Sequence, residues 1–204
     1  MTAIAVEQPI SGSRAAARPV PWSRLTAVEL RKMFNTRSGF WLMASIVITA
    51  LLATGAVILF APDEEISYGA FATAFGFPMA VILPMVAILS VTSEWSQRSG
   101  LTTFTLVPRR GRVIAAKAAA AVAVGVVSIP LAFAIGAVGN VAGSALAGTD
   151  LVWDVSITQA LYIVLANVLG LLVGFMLGVL IRSSAGAIVA YFVYSLLLPT
   201  LAGL

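Results

Sequence analysis

The chain of 204 residues has no cysteine and no histidine. The first absence excludes a disulfide framework, thiol catalysis and a Cys-ligated metal. The second removes the commonest metal ligand and the commonest general base. Charge is scarce as well: 10% of residues are Asp, Glu, Lys or Arg, against about a quarter in an average soluble domain. No Asp or Glu lies inside any long apolar run. That argues against an intramembrane acid–base enzyme and against an ion-coupled carrier or channel, both of which need ionisable groups at membrane depth. No Gly-x-x-x-x-Gly-Lys-Ser/Thr loop is present, so the chain has no means of its own to bind ATP. No cofactor, metal ligand set or catalytic residue is expected.

What the chain has instead is apolar length. Hydrophobic residues make up 60% of it, gathered into five runs: 40–60, 71–92, 113–138, 157–181 and 185–204. Each is long enough to cross a hydrocarbon core of about 30 Å, which takes about 20 helical residues. In lipid every backbone polar group must be satisfied internally, which leaves helices or closed barrels. The runs are continuous rather than alternating, which excludes a barrel. The expected fold is all-α: a polytopic membrane helical bundle in a single domain over 22–204, with five spans visible.

The bases are segregated. When the gaps between runs are numbered alternately inside and outside, 11 of the 12 Lys and Arg fall in inside gaps, and the other, Lys117, lies at the inner end of the third run. The outside gaps hold no base but five of the eight acids: Asp63, Glu64, Glu65, Asp150 and Asp154. By the positive-inside rule the N-terminus is cytoplasmic and the protein is a multi-pass component of a plasma membrane. The net charge of +4 belongs to that surface, facing anionic lipid, and is no sign of nucleic acid.

Residues 1–21 lack a signal-peptide core and read as a disordered cytoplasmic tail. Residues 22–37 follow without Gly or Pro. On a helical wheel Trp22, Leu25, Leu30, Met33 and Phe34 share one half, and Arg24, Arg31, Lys32 and Asn35 the other. Thr26, Glu29 and Thr36 break the apolar arc. The segment reads as a helix in the cytoplasmic interface, bending at Ser38-Gly39 into the first span. Trp22, Glu29, Lys32 and Arg37 are its marker residues. Asp63, Glu64 and Glu65 read as solvating a short outer loop. Pro78 and Pro84 kink the second span. Lys117, one turn into the third span, is placed to snorkel its ammonium to the surface. Pro130 kinks that span, and Gly136, Gly139 and Gly143 loosen its outer part. Trp153 reads as an interface anchor. In the fourth span Gly170, Gly174 and Gly178 form a stripe on which another helix can approach. Asn167 is the one strongly polar side chain deep in a span, and an interhelical hydrogen bond is the expected use. Arg182-Ser-Ser is a tight inner turn. The apolar ending at Leu204 suggests that a sixth span is missing.

The inner loop 93–112 is the most informative hydrophilic segment. It mixes acid, base, aromatic and apolar residues where topology needs only bases. Glu94 and Arg98 stand four apart and share a helical face. Gly100 can break that helix. Leu101, Phe104 and Leu106 are apolar in a segment expected to be wet. Such a cluster reads either as a protein-docking surface or as side chains packed back on the bundle.

Three features together resemble the permease subunits of type-2 ATP-binding-cassette exporters. They are the elbow-like Val28-Glu-Leu-Arg-Lys32 ending at Arg37, the loop residues Glu94, Arg98, Gly100, Leu106, Pro108, Arg110 and Lys117, and the order of interfacial helix, two spans and basic loop. The stretch from Leu106 to Lys117 looks especially like actinobacterial members. Gly100-Leu-Thr-Thr stands where the family more often has Gly-Thr-Leu. The resemblance implies a coupling helix within 93–112 that docks on a separate ATPase subunit through Glu94, Arg98, Gly100, Leu101, Phe104, Leu106, Pro108 and Arg110. It also implies a second permease copy or homologue, and export of a drug-, lipid- or peptide-like substrate. A non-transporting membrane anchor or assembly factor would present the same spans and the same loop.

Overall fold

In the computed structural model, which describes residues 20–96 and 110–203, all regular structure is helical. Six α-helices follow in chain order: α1 (Trp22–Asn35), α2 (Arg37–Phe60), α3 (Tyr68–Ser96), α4 (Arg110–Ala147), α5 (Ile157–Ile181) and α6 (Ser184–Ala202). A short 3₁₀ turn, Asp63–Glu65, joins α2 to α3 and carries three exposed acids. Four helices are long and apolar enough to cross a membrane: Gly39–Phe60, Tyr68–Ser93, Arg110–Ala147 and Ile157–Ile181. The fifth apolar run forms α6, whose apolar stretch Ser184–Leu197 is shorter than these. The tail 1–19 lies outside the described residues.

The core is built around α3. Phe71, Phe75, Met79, Leu83, Ala87 and Val91 recur every fourth residue and are all buried. With about 3.6 residues per turn, a spacing of four drifts slowly around the helix axis, so this buried stripe winds around α3, which packs against α2, α4, α5 and α6. Here Pro84 matters. It has no N–H to give to the carbonyl four residues back, and the Tyr191 hydroxyl of α6 donates to that Ala80 carbonyl at 2.9 Å. α3 continues through both Pro78 and Pro84.

α4 departs from the expected third span. It runs for 38 residues from Arg110 to Ala147, about 57 Å at 1.5 Å per residue. That is nearly twice a hydrocarbon core, so several turns stand clear of it. Pro130 does not end the helix. Gly136, Gly139 and Gly143 do not loosen it either; they let other helices in. A methyl on Gly139 would collide with Thr54 Cγ2 of α2 and come within 3.0 Å of the Phe71 ring. One on Gly136 would meet Phe75 at 3.0 Å. The helix ends instead at Gly148, whose φ of +69° is the left-handed geometry of a helix terminator.

The bend between α1 and α2 also differs from expectation. It falls at Thr36, which is extended (φ −96°, ψ 144°), and the Thr36 hydroxyl accepts from the Gly39 N–H at 3.0 Å. Gly39 is needed for a different reason: a side chain there would run into the Met33 carbonyl.

Candidate functional site

The described residues of the loop 93–112 are its two stems, and the surroundings of those stems form the candidate site. Arg98, Gly100, Leu101, Phe104, Leu106 and Pro108 lie outside the described residues. Glu94 lies in the last turns of α3, with its side chain outside what is described. Arg110 opens α4 and is exposed.

The α4 stem is held by α1. Glu29 and Lys117 are both buried, and the Lys117 ammonium donates to Glu29 Oε2 at 2.5 Å. Lys32, one turn further along α1, donates to Glu29 Oε1 at 2.7 Å. One carboxylate therefore bridges two lysines from two helices. Lys117 does not snorkel to the surface as its position alone suggests. An oppositely charged partner stands at its own depth, and pairing offsets much of the cost of burying each charge. The residue that spoils the apolar arc of α1 is thus the one that fastens it. The inward face of α1 is Leu25, Thr26, Glu29, Leu30 and Met33, while Trp22 and Phe34 are exposed. A second tie lies nearby: Arg112 donates to the Val20 carbonyl at 2.8 Å.

The α3 stem is held by the α5–α6 turn. The Thr92 and Ser184 hydroxyls lie 2.8 Å apart. The Arg182 guanidinium sits over the Trp95 ring at 5.0 Å from its centre, a cation–π contact. Arg182 caps α5 in the left-handed region (φ 57°), with its N–H donating to the Gly178 carbonyl. Glycine is the usual residue for this geometry; here the backbone strain comes with a side chain that reaches Trp95.

The glycine stripe of α5 faces α3. A methyl on Gly174 would lie 2.9 Å from the Pro84 carbonyl oxygen, and one on Gly178 would lie 3.3 Å from Ile88 Cα. A methyl on Gly170 would lie 3.3 Å from the Tyr191 hydroxyl. Asn167 makes no interhelical bond through its amide nitrogen, which donates to Ile163 four residues back in its own helix. Its buried Oδ1 has no partner among the described residues. A mid-helix side chain can always reach its own i−4 carbonyl, and that local bond competes with any bond across a helix pair.

At the opposite end of the bundle, Asp154 reaches back to the start of α3. Its carboxylate accepts from the Ser67 hydroxyl at 2.8 Å and from the Gly69 N–H at 2.6 Å. Burial pushes its pKa up, but the bonds from Ser67 and Gly69 outweigh this and hold it below the ordinary carboxylate range. Trp153 is exposed on one side and packs at a tilt against Tyr68 on the other, ring centres 4.9 Å apart. Asn140 donates to the Val152 carbonyl at 2.8 Å. The contacts of Asp154 and Trp153 join residues some 85 positions apart, which no local pattern could reveal. The Glu29–Lys117 pair did leave a signal. Each charge is an anomaly on an apolar face of its own helix, and the two are opposite in sign.

Among the described residues no group of His, Cys, Asp and Glu could hold a metal ion. No family model matches the chain, and no curated protein or solved structure is detectably similar to it.

Proposed function

We propose that this chain is the membrane-spanning permease subunit of an ATP-binding-cassette exporter, driven by ATP hydrolysed in a separate subunit. The observation that carries the reading is the way the two stems of the 97–109 segment are fastened. One stem is tied to α5 and α6 through Thr92–Ser184 and Trp95–Arg182; the other is tied to α1 through Lys117–Glu29 and Arg112–Val20. A push on the loop is thereby delivered to both flanks of the bundle. A loop serving only as a topological signal needs bases and no such ties.

In this reading the N-terminus and the 97–109 segment are cytoplasmic. α1 lies in the inner interface, and α6 makes the fifth crossing. The ATPase docks on Glu94, Arg98 and the apolar residues Leu101, Phe104 and Leu106, with Gly100, Pro108 and Arg110 shaping the loop. A second copy or homologue completes the transporter. The scarcity of charge within the spans suits an amphipathic drug-, lipid- or peptide-like cargo better than a small ion. The competing reading, a membrane anchor or assembly factor, accommodates the same helices without the need for a force path.

The test is co-purification of the tagged chain from its native membranes, followed by reconstitution with the ATPase recovered. Glu94→Ala and Arg98→Ala each remove a charge from a docked surface, where breaking a desolvated pair costs about 2–5 kcal/mol of binding. Both are expected to weaken the complex or uncouple hydrolysis from transport by tenfold or more, with membrane insertion unchanged. No bound ATPase, or full assembly and transport in both variants, would put the anchor reading ahead.

A further inference from the structure

α1, α2 and α4 enclose an apolar groove of about 500 Å³. It is lined by Leu30 and Phe34 from α1, Phe40, Met43 and Val47 from α2, and Val127 from α4, among others. Its volume falls in the range of small-ligand sites, about 300–1,000 Å³. Phe40–Val47 is the first part of the apolar run of α2, so on that helix the groove begins where the bases end. Its mouth is charged in a particular way. Arg31 adjoins Leu30 and stands one turn before Phe34 at the edge of the apolar arc of α1, and Arg37 stands one turn before Phe40 on α2, so both arginines flank residues that line the groove. Both arginines are exposed, and neither has an acidic partner among the described residues. The nearby acid, Glu29, is already held between Lys32 and Lys117.

We propose that this groove holds an anionic phospholipid, with one acyl chain among Phe34, Phe40, Met43 and Val127 and its phosphate between Arg31 and Arg37. An apolar tail gains little on leaving the bilayer for an apolar groove, because lipid tails are as apolar as leucine. Selection must then come from the headgroup, and two exposed guanidiniums at the rim select negative charge. A bound lipid would fill the gap between α1 and the spans, steadying the helix that Glu29 fastens to α4. The proposal rests on the membrane reading and not on the transport reading.

The test is native mass spectrometry of the full chain in detergent, with phosphatidylglycerol and phosphatidylcholine of matched chains added in equal amounts. Phosphatidylglycerol is expected to be retained preferentially. R31Q and R37Q should each lower its affinity about fivefold, and together about 30-fold, with a smaller effect on the zwitterionic phosphatidylcholine. Ala44→Phe, which fills the groove, should reduce retention of both lipids while the thermal midpoint holds. Equal retention of the two lipids by the parent chain would overturn the proposal. So would an unchanged preference in the double variant. A dimer that excludes lipid and is lost in Ala44→Phe would assign the groove to a second copy instead. If the chain stays dispersed in the aqueous fraction without detergent, the membrane reading itself fails.

Discussion

Glu29 and Lys117 show how two unfavourable residues become one favourable contact. Alone, either charge on an apolar face carries a desolvation cost of several kcal/mol. Glu29→Gln removes the carboxylate that two lysines share, and should lower stability by about 3 kcal/mol. Lys117→Met leaves Glu29 beside Lys32 and should cost less. Thermal unfolding in detergent would read this order; no shift in either variant, or the reverse order, would contradict the arrangement. Asp154 gives a prediction that depends on pH. Its folded pKa is depressed, so its contribution is in place above the unfolded value of about 3.9 and is lost as pH falls through the folded value. Asp154→Asn should therefore be less stable than the parent at neutral pH, with the difference closing as pH falls below the unfolded value. A gap that stays constant across that range would mean the charge is irrelevant to the cap.

Among the helices, close approach is decided by where glycine stands. Gly174 and Gly55 both lie within long apolar helices, yet their surroundings are opposite. A methyl on Gly174 meets the backbone of Pro84, whereas one on Gly55 meets nothing within 4 Å. Gly174→Ala is expected to destabilise by about 1–3 kcal/mol through overpacking, since a backbone cannot rotate out of the way. Gly55→Ala should be neutral or stabilising by about 0.5–1 kcal/mol, the ordinary gain for alanine in a helix. Equal midpoints for the two variants would place the stripe away from α3. The Tyr191 hydroxyl has a related role: it stands in for the N–H that Pro84 lacks, so the carbonyl freed by that proline stays paired at the centre of the bundle.

For the molecule as a whole, the segregation of charge predicts which end faces which compartment. Lys32, Arg37, Arg112, Lys117 and Arg182 cluster at the end that carries the loop stems. Asp63, Glu64, Glu65, Asp150 and Asp154 occupy the other end. Glu64→Cys should label with an impermeant thiol reagent in intact cells, and Ser99→Cys only after permeabilisation. Ser67 is the poorer choice on the far side, because its hydroxyl is bonded to Asp154. Labelling of Ser99→Cys in intact cells, with Glu64→Cys silent, would invert the topology.

The helical segments were legible because lipid leaves the backbone few options. A run of about 20 apolar residues must satisfy its own amides, so composition alone marks a helix. The fourth run, 157–181, coincides with α5, and the glycine spacing announced a close contact before its partner was known. Other features could not be read this way. In an all-apolar helix there is no polar face to show which side is inward, so nothing in the sequence says that α5 packs on Pro84 or that the glycines of α4 admit Thr54 and Phe71. A proline or glycine in such a run looks like a break, and only the neighbours that fill the gap show that α4 runs on to Ala147. The pairing of Glu29 with Lys117, and of Asp154 with Ser67 and Gly69, depends on residues more than 80 positions apart meeting at one depth. Sequence determined that Glu29 and Lys117 needed partners, because an isolated charge at an apolar surface is too costly to keep. The tertiary structure decided which partners they have, because only packing brings distant turns of helix to the same level.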